Sequence, residues 1–320
     1  MPLDEFSLIE TFFRRPAAPA VGVLAGIGDD CALLDGGAAG VLAVTTDTLV
    51  ADIHFPARAS AFDIGQRALR VNLSDLAAMG AVPRWFLLAL TLPAADEDWL
   101  RAFSAGLFAV ADAHGCALVG GDTTRGPLAV TITALGAVPA NVALRRSGAS
   151  AGDQVFVTGE LGGAAAALAD MTQTGACGAA DATLNARYWY PEPRLREGVA
   201  LRGIASAAID ISDGLVADLG HVARASGVAA ELELEKLPLC GAALARFGSD
   251  QTRDWALAGG DDYELCFTVP TSRLAALETA VRAGRLRALP VGRLVSGTGV
   301  HARDGAGRSL ALTRTGYHHF

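Results

Sequence analysis

The sequence predicts a two-domain protein of the α/β or α+β class, and three observations support this prediction. The chain has 320 residues, about twice the ~150 residues that one compact domain usually holds. Strand and helix patterns alternate along both halves. Turn-forming residues are concentrated near residues 140–153, between the halves. With 51% hydrophobic and 19% charged residues, the composition is that of a globular protein.

The first half is predicted to contain strands and two long helices. In chain order these are a strand at 41–46, helices at 60–80 and 96–114, and strands at 117–119 and 128–135. The first strand is apolar and β-branched. Ser60 and Asp63 have the spacing of a capping box, and Gly80 is expected to end the helix that they begin. The second helix has an apolar stripe at helical spacing and a stop at Gly115.

The second half repeats this alternation after a connection marked by Pro139, Gly148 and Gly152. We therefore expect two domains, residues 1–146 and residues 147–320. The predicted elements of the second are strands at 155–158, 207–211, 229–234 and 264–269, a helix from Gly163, a helix at 213–226, and a loop at 171–181.

The chain contains a single lysine, Lys236, so the other 25 of its 26 basic residues are arginines. A phosphate-binding P-loop and a protein-kinase strand lysine are both excluded, because Lys236 lies in neither motif. The formal net charge of −8 argues against a nucleic-acid partner, since such proteins bind phosphates mainly through Lys and Arg.

The five cysteines are odd in number, widely spaced and free of any Cys-x-x-Cys motif, which favours reduced thiols in a cytosol. The acidic N-terminus has no apolar run of the kind found in a signal peptide. The longest apolar stretch, residues 85–92, is shorter than the ~20 residues needed to span a bilayer. We expect a cytoplasmic protein without a membrane partner.

Aspartates recur where predicted elements end, often beside glycine or threonine. They occur in Gly28-Asp29-Asp30, Thr45-Thr46-Asp47, Asn72 to Asp75, Gly120-Gly121-Asp122, Asp210-Ile211-Ser212-Asp213 and Gly259-Gly260-Asp261-Asp262. Strand alternation places Asp210 and Ser212 on one face, and Asp213 can cap the next helix. Asp75 lies near a helix C-terminus, where the macrodipole disfavours negative charge and a cation is a suitable partner.

A single aspartate of this kind is more often a turn former or a helix cap than a ligand. Several that converge would repel one another and would need divalent cations. Oxygen ligands without a His or Cys cluster point to Mg²⁺, and carboxylate-bound Mg²⁺ usually bridges nucleotide phosphates. The residues alone therefore predict a magnesium-dependent phosphoryl-transfer site that works without lysine.

Eight motifs resemble those of the thiamine-monophosphate kinase family, which belongs to a superfamily with aminoimidazole ribonucleotide synthetase and selenophosphate synthetase. The motifs are Glu5-Phe6-Ser7-Leu8-Ile9, Gly26-Ile27-Gly28-Asp29-Asp30-Cys31-Ala32, Thr45-Thr46-Asp47-Thr48-Leu49-Val50, residues 71–80, Gly120-Gly121-Asp122-Thr123-Thr124, Arg146-Ser147-Gly148-Ala149, Asp210-Ile211-Ser212-Asp213-Gly214-Leu215 and Asp262-Tyr263-Glu264-Leu265. The resemblance runs along the whole chain.

The resemblance implies a two-domain fold like that of aminoimidazole ribonucleotide synthetase, with an N-terminal sheet domain that forms a homodimer and a C-terminal α/β domain. It implies transfer of phosphate from ATP to thiamine monophosphate, with several Mg²⁺ ions. The implied metal ligands are Asp30, Thr45, Thr46, Asp47, Asp75, Asp122, Asp210 and Asp213. The implied ATP contacts are Gly121, Asp122, Arg146 and Ser212. The implied thiamine-monophosphate contacts are His54, Asp261 and Tyr317.

The sequence departs from the family pattern at Asp261, where the family usually has glutamate, and at His318, where an acidic residue is more usual. The shorter side chain makes a direct contact of Asp261 with the cationic end of the substrate the weakest of these assignments. Cys31 is expected to be a small buried residue without a reactive role.

Direct in-line transfer is expected, with no covalent or acid–base catalytic residue, because the phosphate oxygen that attacks is already largely ionised near pH 7. Two alternatives remain at this point. One is another enzyme of the superfamily, although selenophosphate synthetase would need an early lysine and a hydrogenase-maturation relative would end in cysteine. The other is a nucleotide-binding module that senses rather than catalyses.

Overall fold

The computed structural model describes residues 9, 21–37, 40–139, 141–306, 308–310 and 316–317. Within these residues the chain forms one six-stranded sheet and one seven-stranded sheet, each associated with helices. This confirms the predicted α/β class. In the described part of the chain, no helix has the length and apolar character needed to cross a membrane.

The six-stranded sheet is mixed and has the order β1-β2-β3-β6-β4-β5. Its strands are β1 (Val23–Ala25), β2 (Ala32–Asp35), β3 (Val41–Val50), β4 (Val82–Leu92), β5 (Ala117–Arg125) and β6 (Ala129–Val138). Only β4 and β5 pair in parallel, as expected for strands joined by a crossover helix. Every residue of β5, an edge strand, is exposed.

Two long helices, α1 (Ala61–Ala78) and α2 (Glu97–His114), accompany this sheet. The Asp96 carboxylate caps α2. Gly115 ends the helix in a left-handed conformation, as the sequence predicts. The capping box predicted for α1 is wrong, because the Ser60 side chain makes no capping hydrogen bond. Asp63 instead accepts a hydrogen bond from the Tyr190 hydroxyl.

The seven-stranded sheet has the order β13-β12-β9-β11-β7-β10-β8, and only β12 and β9 pair in parallel. Its strands are β7 (Gln154–Val157), β8 (Ala207–Asp210), β9 (Ala229–Glu233), β10 (Leu265–Val269), β11 (Leu289–Val295), β12 (Gly299–Arg303) and β13 (Ser309–Leu310). The helices of this half are α3 (Gly163–Thr174), α4 (Ala182–Trp189), α5 (Leu195–Leu201), α6 (Leu215–Ser226), α7 (Gly241–Phe247), α8 (Ser249–Ala258) and α9 (Leu274–Arg282). The loop predicted at 171–181 is partly wrong, because α3 continues to Thr174.

Helix α1 also packs against the second half, at its C-terminal end. A side chain at Gly198 of α5 would clash with the Ala77 carbonyl oxygen at 2.1 Å, so the two backbones are in direct contact. Arg202 donates to the carbonyl oxygen of Gly80. This contact brings the last turns of α1 beside β8, and both elements carry aspartates of the candidate site.

Candidate functional site

Three aspartates from separate elements form a carboxylate cluster, defined here as Asp30, Asp75 and Asp210. Asp30 lies in the turn between β1 and β2, Asp75 in the last turn of α1, and Asp210 at the end of β8. One oxygen from each lies within 4.8 Å of the other two. Residues far apart in the sequence are thus brought to one point where the two sheets approach.

Each carboxylate of the cluster is held by a short hydrogen bond. The Thr45 hydroxyl donates to Asp75 Oδ2 at 2.5 Å, and the Ser74 hydroxyl donates to Asp210 Oδ2 at 2.6 Å. The Arg146 guanidinium donates to Asp30 Oδ1 from Nη2 at 2.6 Å and from Nε at 3.1 Å. These bonds fix the carboxylates before any ligand binds.

Burial makes the negative charge of the cluster unfavourable. It raises the pKa of Asp210 to about 7, with the charge of Asp30 as the next cause. Burial and the charges of Asp47, Asp210 and Asp30 raise the pKa of Asp75 well above its usual range. Burial also raises the pKa of Asp30, although the charge of Arg146 opposes this. The negative charges of the cluster are therefore only partly balanced, by Arg146 beside Asp30.

The residues of the cluster fit a hard divalent cation. Their donors are carboxylate oxygens, which Mg²⁺ prefers. Asp30 Oδ2 is buried and has no hydrogen-bond partner among the described residues, an arrangement that costs free energy unless a ligand binds there. A cation would satisfy this oxygen and offset the repulsion between the carboxylates.

Asp29 and Asp47 lie close to the cluster. Asp29 Oδ1 accepts the backbone N–H groups of Arg146 at 3.0 Å and of Asp30 at 3.2 Å, so it fixes the arginine beside the cluster. Burial raises the pKa of Asp29 to about 6. The backbone N–H of Asp47 donates to Asn72 Oδ1 at 3.2 Å, which joins β3 to α1.

The side chain of Thr46 lies away from the cluster. Side chains alternate along β3, so Thr45 is buried and Thr46 is exposed. The Thr46 hydroxyl lies 2.9 Å from the Thr133 hydroxyl on the open face of the sheet. Within one chain, the Thr46 hydroxyl is thus not brought to the cluster.

Gly121 and Asp122 also lie away from the cluster, on edge strand β5. Asp122, Ala89, Thr131 and Thr48 are paired in a row across four neighbouring strands. Three strand spacings therefore separate Asp122 from Thr48, so their backbones lie about 14 Å apart. Gly121 has φ 147°, and a Cβ atom there would lie 1.8 Å from the Leu88 carbonyl oxygen. Position 121 therefore requires glycine.

The loop that carries Ser212 and Asp213 is held by a residue that the sequence analysis missed. The predicted capping of α6 by Asp213 is wrong, since the helix begins at Leu215 with Gly214 as its N-cap. The buried Asp218 carboxylate instead accepts the backbone N–H groups of Asp213 and Gly214 at 3.1 and 3.0 Å. The sequence does contain a signal for this role, because Asp218 lies one turn into α6, the helix that follows Asp213-Gly214.

The candidate substrate residues lie on three loops. His54 Nδ1 accepts the backbone N–H of Val50 at 3.0 Å, which leaves Nε2 to carry the proton of a neutral ring. The backbone N–H of Tyr317 donates to the Asp213 carbonyl oxygen at 3.0 Å, and its side chain is 46% exposed. His318 and the motif residues Glu5 to Leu8 lie outside the described residues.

Asp261 is already ion-paired in the structure. Arg67 Nη2 lies 2.5 Å from Asp261 Oδ1, and the Tyr263 hydroxyl donates to the same oxygen at 3.1 Å. Sequence reasoning missed Arg67, because an arginine in an amphipathic helix is usually a surface residue. Its only signal in the sequence is a charged position on the apolar face of α1.

Comparisons with known proteins identify the families that this chain resembles. The family model "AIR synthase related protein, N-terminal domain" matches residues 28–138, and "AIR synthase related protein, C-terminal domain" matches residues 150–305. The thiamine-monophosphate kinase of Salmonella typhimurium is 50% identical over 283 residues, which cover 88% of this chain and 87% of that protein.

Solved structures of similar proteins cover nearly the whole chain. The crystal structure of thiamine-monophosphate kinase from Stenotrophomonas maltophilia K279a is 48% identical, with a TM-score of 0.80 over 91% of this chain and 93% of that chain. The structure described as "AaThiL complexed with AMPPCP and TMP" is 30% identical, with a TM-score of 0.85 over 100% of this chain and 99% of that chain.

Proposed function

This chain belongs to the thiamine-monophosphate kinase family, and we propose that it transfers the γ-phosphate of ATP directly to thiamine monophosphate at the carboxylate cluster. It is a kinase, and the reaction yields thiamine diphosphate and ADP. The observation that carries the proposal is the buried Asp30 Oδ2, which has no hydrogen-bond partner in the described part of the chain and lies within three converging carboxylates. A related structure with both AMPPCP and TMP bound supports the two substrates.

We propose that Mg²⁺ ions are held by carboxylates and hydroxyls of both halves. Asp30, Asp75 and Asp210 form the centre of this set, and Asp47 lies close enough for its charge to raise the pKa of Asp75. The full proposed set is Asp30, Thr45, Thr46, Asp47, Asp75, Asp122, Asp210 and Asp213. Within one chain, the side chains of Thr46 and Asp122 lie away from the other members of this set. When bound, magnesium supplies positive charge that offsets the charge of two anionic reactants.

The proposed substrate contacts are those that the family resemblance implies. ATP contacts are assigned to Gly121, Asp122, Arg146 and Ser212, and thiamine-monophosphate contacts to His54, Asp261 and Tyr317. Arg146 is suited to phosphate because its guanidinium is planar and permanently charged. The exposed ring of Tyr317 is suited to stacking on a flat cationic heterocycle.

The chain's own residues position the reactants and take no covalent part. A phosphate oxygen of thiamine monophosphate attacks the γ-phosphorus of ATP, the new P–O bond forms, and the bond to the β-phosphate oxygen breaks. The attacking oxygen is largely ionised near pH 7, since its second pKa is about 6. No general base and no phosphoenzyme are required.

We also propose how the chain is organised for this reaction. Residues 1–146 are proposed to form the Mg²⁺- and ATP-binding domain that also dimerises, and residues 147–320 to form the C-terminal α/β domain. A homodimer is supported by β5, an edge strand whose residues are all exposed. A cytoplasmic location is proposed from the odd, unpaired cysteines.

The test is an assay of the purified protein with thiamine monophosphate, ATP and Mg²⁺. Equal amounts of thiamine diphosphate and ADP are expected, and both products should require Mg²⁺. ATP binding without either product would favour the alternative of a sensing module. Stable labelling of the protein by γ-labelled ATP would contradict direct transfer.

A further inference from the structure

Arg67 is a buried cation on α1, and its hydrogen-bond and ring partners among the described residues all lie in the second half of the chain. It is 2% exposed. Its Nη1 donates to the Tyr188 carbonyl oxygen at 2.5 Å and its Nη2 to Asp261 Oδ1 at 2.5 Å. The guanidinium also lies over the rings of Tyr188 and Tyr263, 4.3 and 5.7 Å from their centroids. Because burying an arginine is costly, this arrangement calls for a specific role.

The turn that carries Asp261 has a strained backbone. Asp261 and Tyr263 adopt φ values of +63° and +50°, which are uncommon for residues other than glycine. Such conformations persist only when surrounding contacts hold them. On one side, the backbone N–H groups of Asp261 and Tyr263 donate to the carbonyl oxygens of Ser212 and Ile211 at 2.8 Å each. On the other side, the turn is held by Arg67.

Arg67 fixes the direction in which the Asp261 carboxylate points. Both hydrogen bonds that this carboxylate accepts from described residues go to Oδ1, and its side chain is 31% exposed. Oδ2 is therefore the oxygen available to a ligand.

The same arginine is connected to His54. Tyr188, which Arg67 contacts through both its carbonyl and its ring, donates its hydroxyl to the His54 carbonyl oxygen at 2.9 Å. Two of the three candidate substrate residues are thus connected to one buried guanidinium, Asp261 directly and His54 through Tyr188. Neither contact involves the carboxylate cluster.

We propose that Arg67 is a positioning residue for thiamine monophosphate, which holds Asp261 and the loop of His54 in the geometry that binds this substrate. The inference rests on the proposed function. Arg67 does not contact the reacting atoms in this scheme. Its loss is therefore expected to weaken binding of thiamine monophosphate much more than binding of ATP.

The test compares three variants with the full-length protein: Arg67→Met, Arg67→Lys and Arg70→Met. Methionine removes the charge at similar length, whereas lysine keeps the charge but cannot donate to both acceptors from a planar group. Arg70 is the matched control, because it also lies on α1 and bonds to the second half, at Glu192 and the Pro191 carbonyl oxygen. Its partners are not substrate residues.

In Arg67→Met, KM for thiamine monophosphate is expected to rise about 10- to 100-fold, while KM for ATP changes less than about threefold. Arg67→Lys should show a smaller rise in KM for thiamine monophosphate than Arg67→Met. Circular dichroism shows whether each variant folds, and if Arg67→Met does not fold, the KM values of Arg67→Lys are used instead. Arg70→Met should leave both KM values within about threefold of the original protein.

A double variant tests whether Arg67 acts through Asp261. If it does, Arg67→Met combined with Asp261→Asn should have a KM for thiamine monophosphate within about threefold of the weaker-binding single variant. If the fold-change in KM for thiamine monophosphate in the double variant equals the product of the two single fold-changes, the proposal is overturned. Equal changes of this KM in Arg67→Met and Arg70→Met would also overturn it. An original protein without turnover of thiamine monophosphate would overturn the proposed function and this inference together, whereas turnover with an unchanged Arg67→Met would overturn only the inference.

Discussion

Asp75 is a residue whose charge the metal-free fold disfavours, because it is buried beside Asp30, Asp47 and Asp210. Asp75→Asn keeps an acceptor for the Thr45 hydroxyl but removes one negative charge. We expect this variant to raise the free energy of unfolding of the metal-free protein at pH 8 by about 1 kcal/mol or more. We also expect it to lower kcat at least about 100-fold.

Urea unfolding with EDTA and with Mg²⁺ measures both parts of this prediction. Mg²⁺ should stabilise the original protein by mass action and should stabilise Asp75→Asn much less. Asp112→Asn, at an exposed position of α2, is the control and should change neither stability nor activity. An Asp75→Asn variant that is less stable than the original protein without metal would contradict the argument from repulsion.

Asp262 provides a pH dependence that does not involve the carboxylate cluster. Both of its carboxylate oxygens lie 2.9 Å from the backbone N–H of Gly162, and burial raises its pKa to about 8. From about pH 4 to 8 the folded state therefore holds a proton that the unfolded state has lost. This contribution to stability falls as pH rises, by up to about 1.4 kcal/mol per pH unit, and becomes constant above the folded pKa.

Asp262→Asn removes this titration. The free energy of unfolding of the variant, relative to the original protein, should therefore increase steadily between pH 5 and pH 8 and level off above pH 9. Denaturant unfolding at unit pH intervals measures the difference. A difference that is the same at every pH would show that Asp262 does not keep its proton in the folded state.

At the scale of elements, α1 and α2 cross at two glycines. A Cβ atom at Gly106 would lie 2.1 Å from the Phe62 carbonyl oxygen, and one at Gly65 would lie 2.3 Å from the Phe103 carbonyl oxygen. Gly106→Ala should therefore force the helices apart and lower the free energy of unfolding by about 1–3 kcal/mol. A Cβ atom at Gly220, inside α6, would lie 3.7 Å from a methyl carbon of Val300, an ordinary van der Waals contact, so Gly220→Ala should be neutral or stabilising by up to about 1 kcal/mol. Chemical denaturation compares them, and equal effects would contradict the close helix contact.

The sequence predicted elements best where a periodic pattern was long. Helices α1 and α2 were found within a few residues of their predicted bounds, since each has several turns of amphipathic spacing. Strand β4 was missed because its continuous apolar run has no alternation, and its residues 85–92 were considered only as a possible membrane span. The short helices α4 and α5 were missed because seven or eight residues give too few periods.

Candidate site residues were predictable where a local motif carries them, as with Asp30, Asp75 and Asp210. Arg67 was not predictable, because its role depends on partners 121 and 194 residues away in the sequence, at Tyr188 and Asp261. A charged position on the apolar face of a helix is a weak local signal of burial, and it does not identify these distant partners. Asp218 falls between these cases, since its spacing from Asp213 is local but its burial is set by the packing of α6.

At the scale of the whole molecule, we predict from the position of Asp122 that a second chain completes the site. It lies on the exposed edge strand β5, three strand spacings from Thr48, so within one chain it does not join the carboxylate cluster. In a symmetric dimer through this sheet, β5 of each chain can approach the cluster of its partner. Asp122 would then act on the ATP held by the other chain.

Mixing two inactive variants tests this arrangement. Asp47→Asn and Asp122→Asn should each fold and dimerise but lose activity, because each removes a carboxylate from every site. If Asp122 acts across the interface, a heterodimer of the two variants contains one site in which both aspartates are native. Unfolding and refolding an equal mixture should then recover about a quarter of the original activity, since half of the dimers are mixed and one site in each is intact. Differently tagged chains show whether mixed dimers have formed. If they have and no activity is recovered, Asp122 and Asp47 act in the site of the same chain. Near-normal activity of either single variant would show that its aspartate is not part of the metal site.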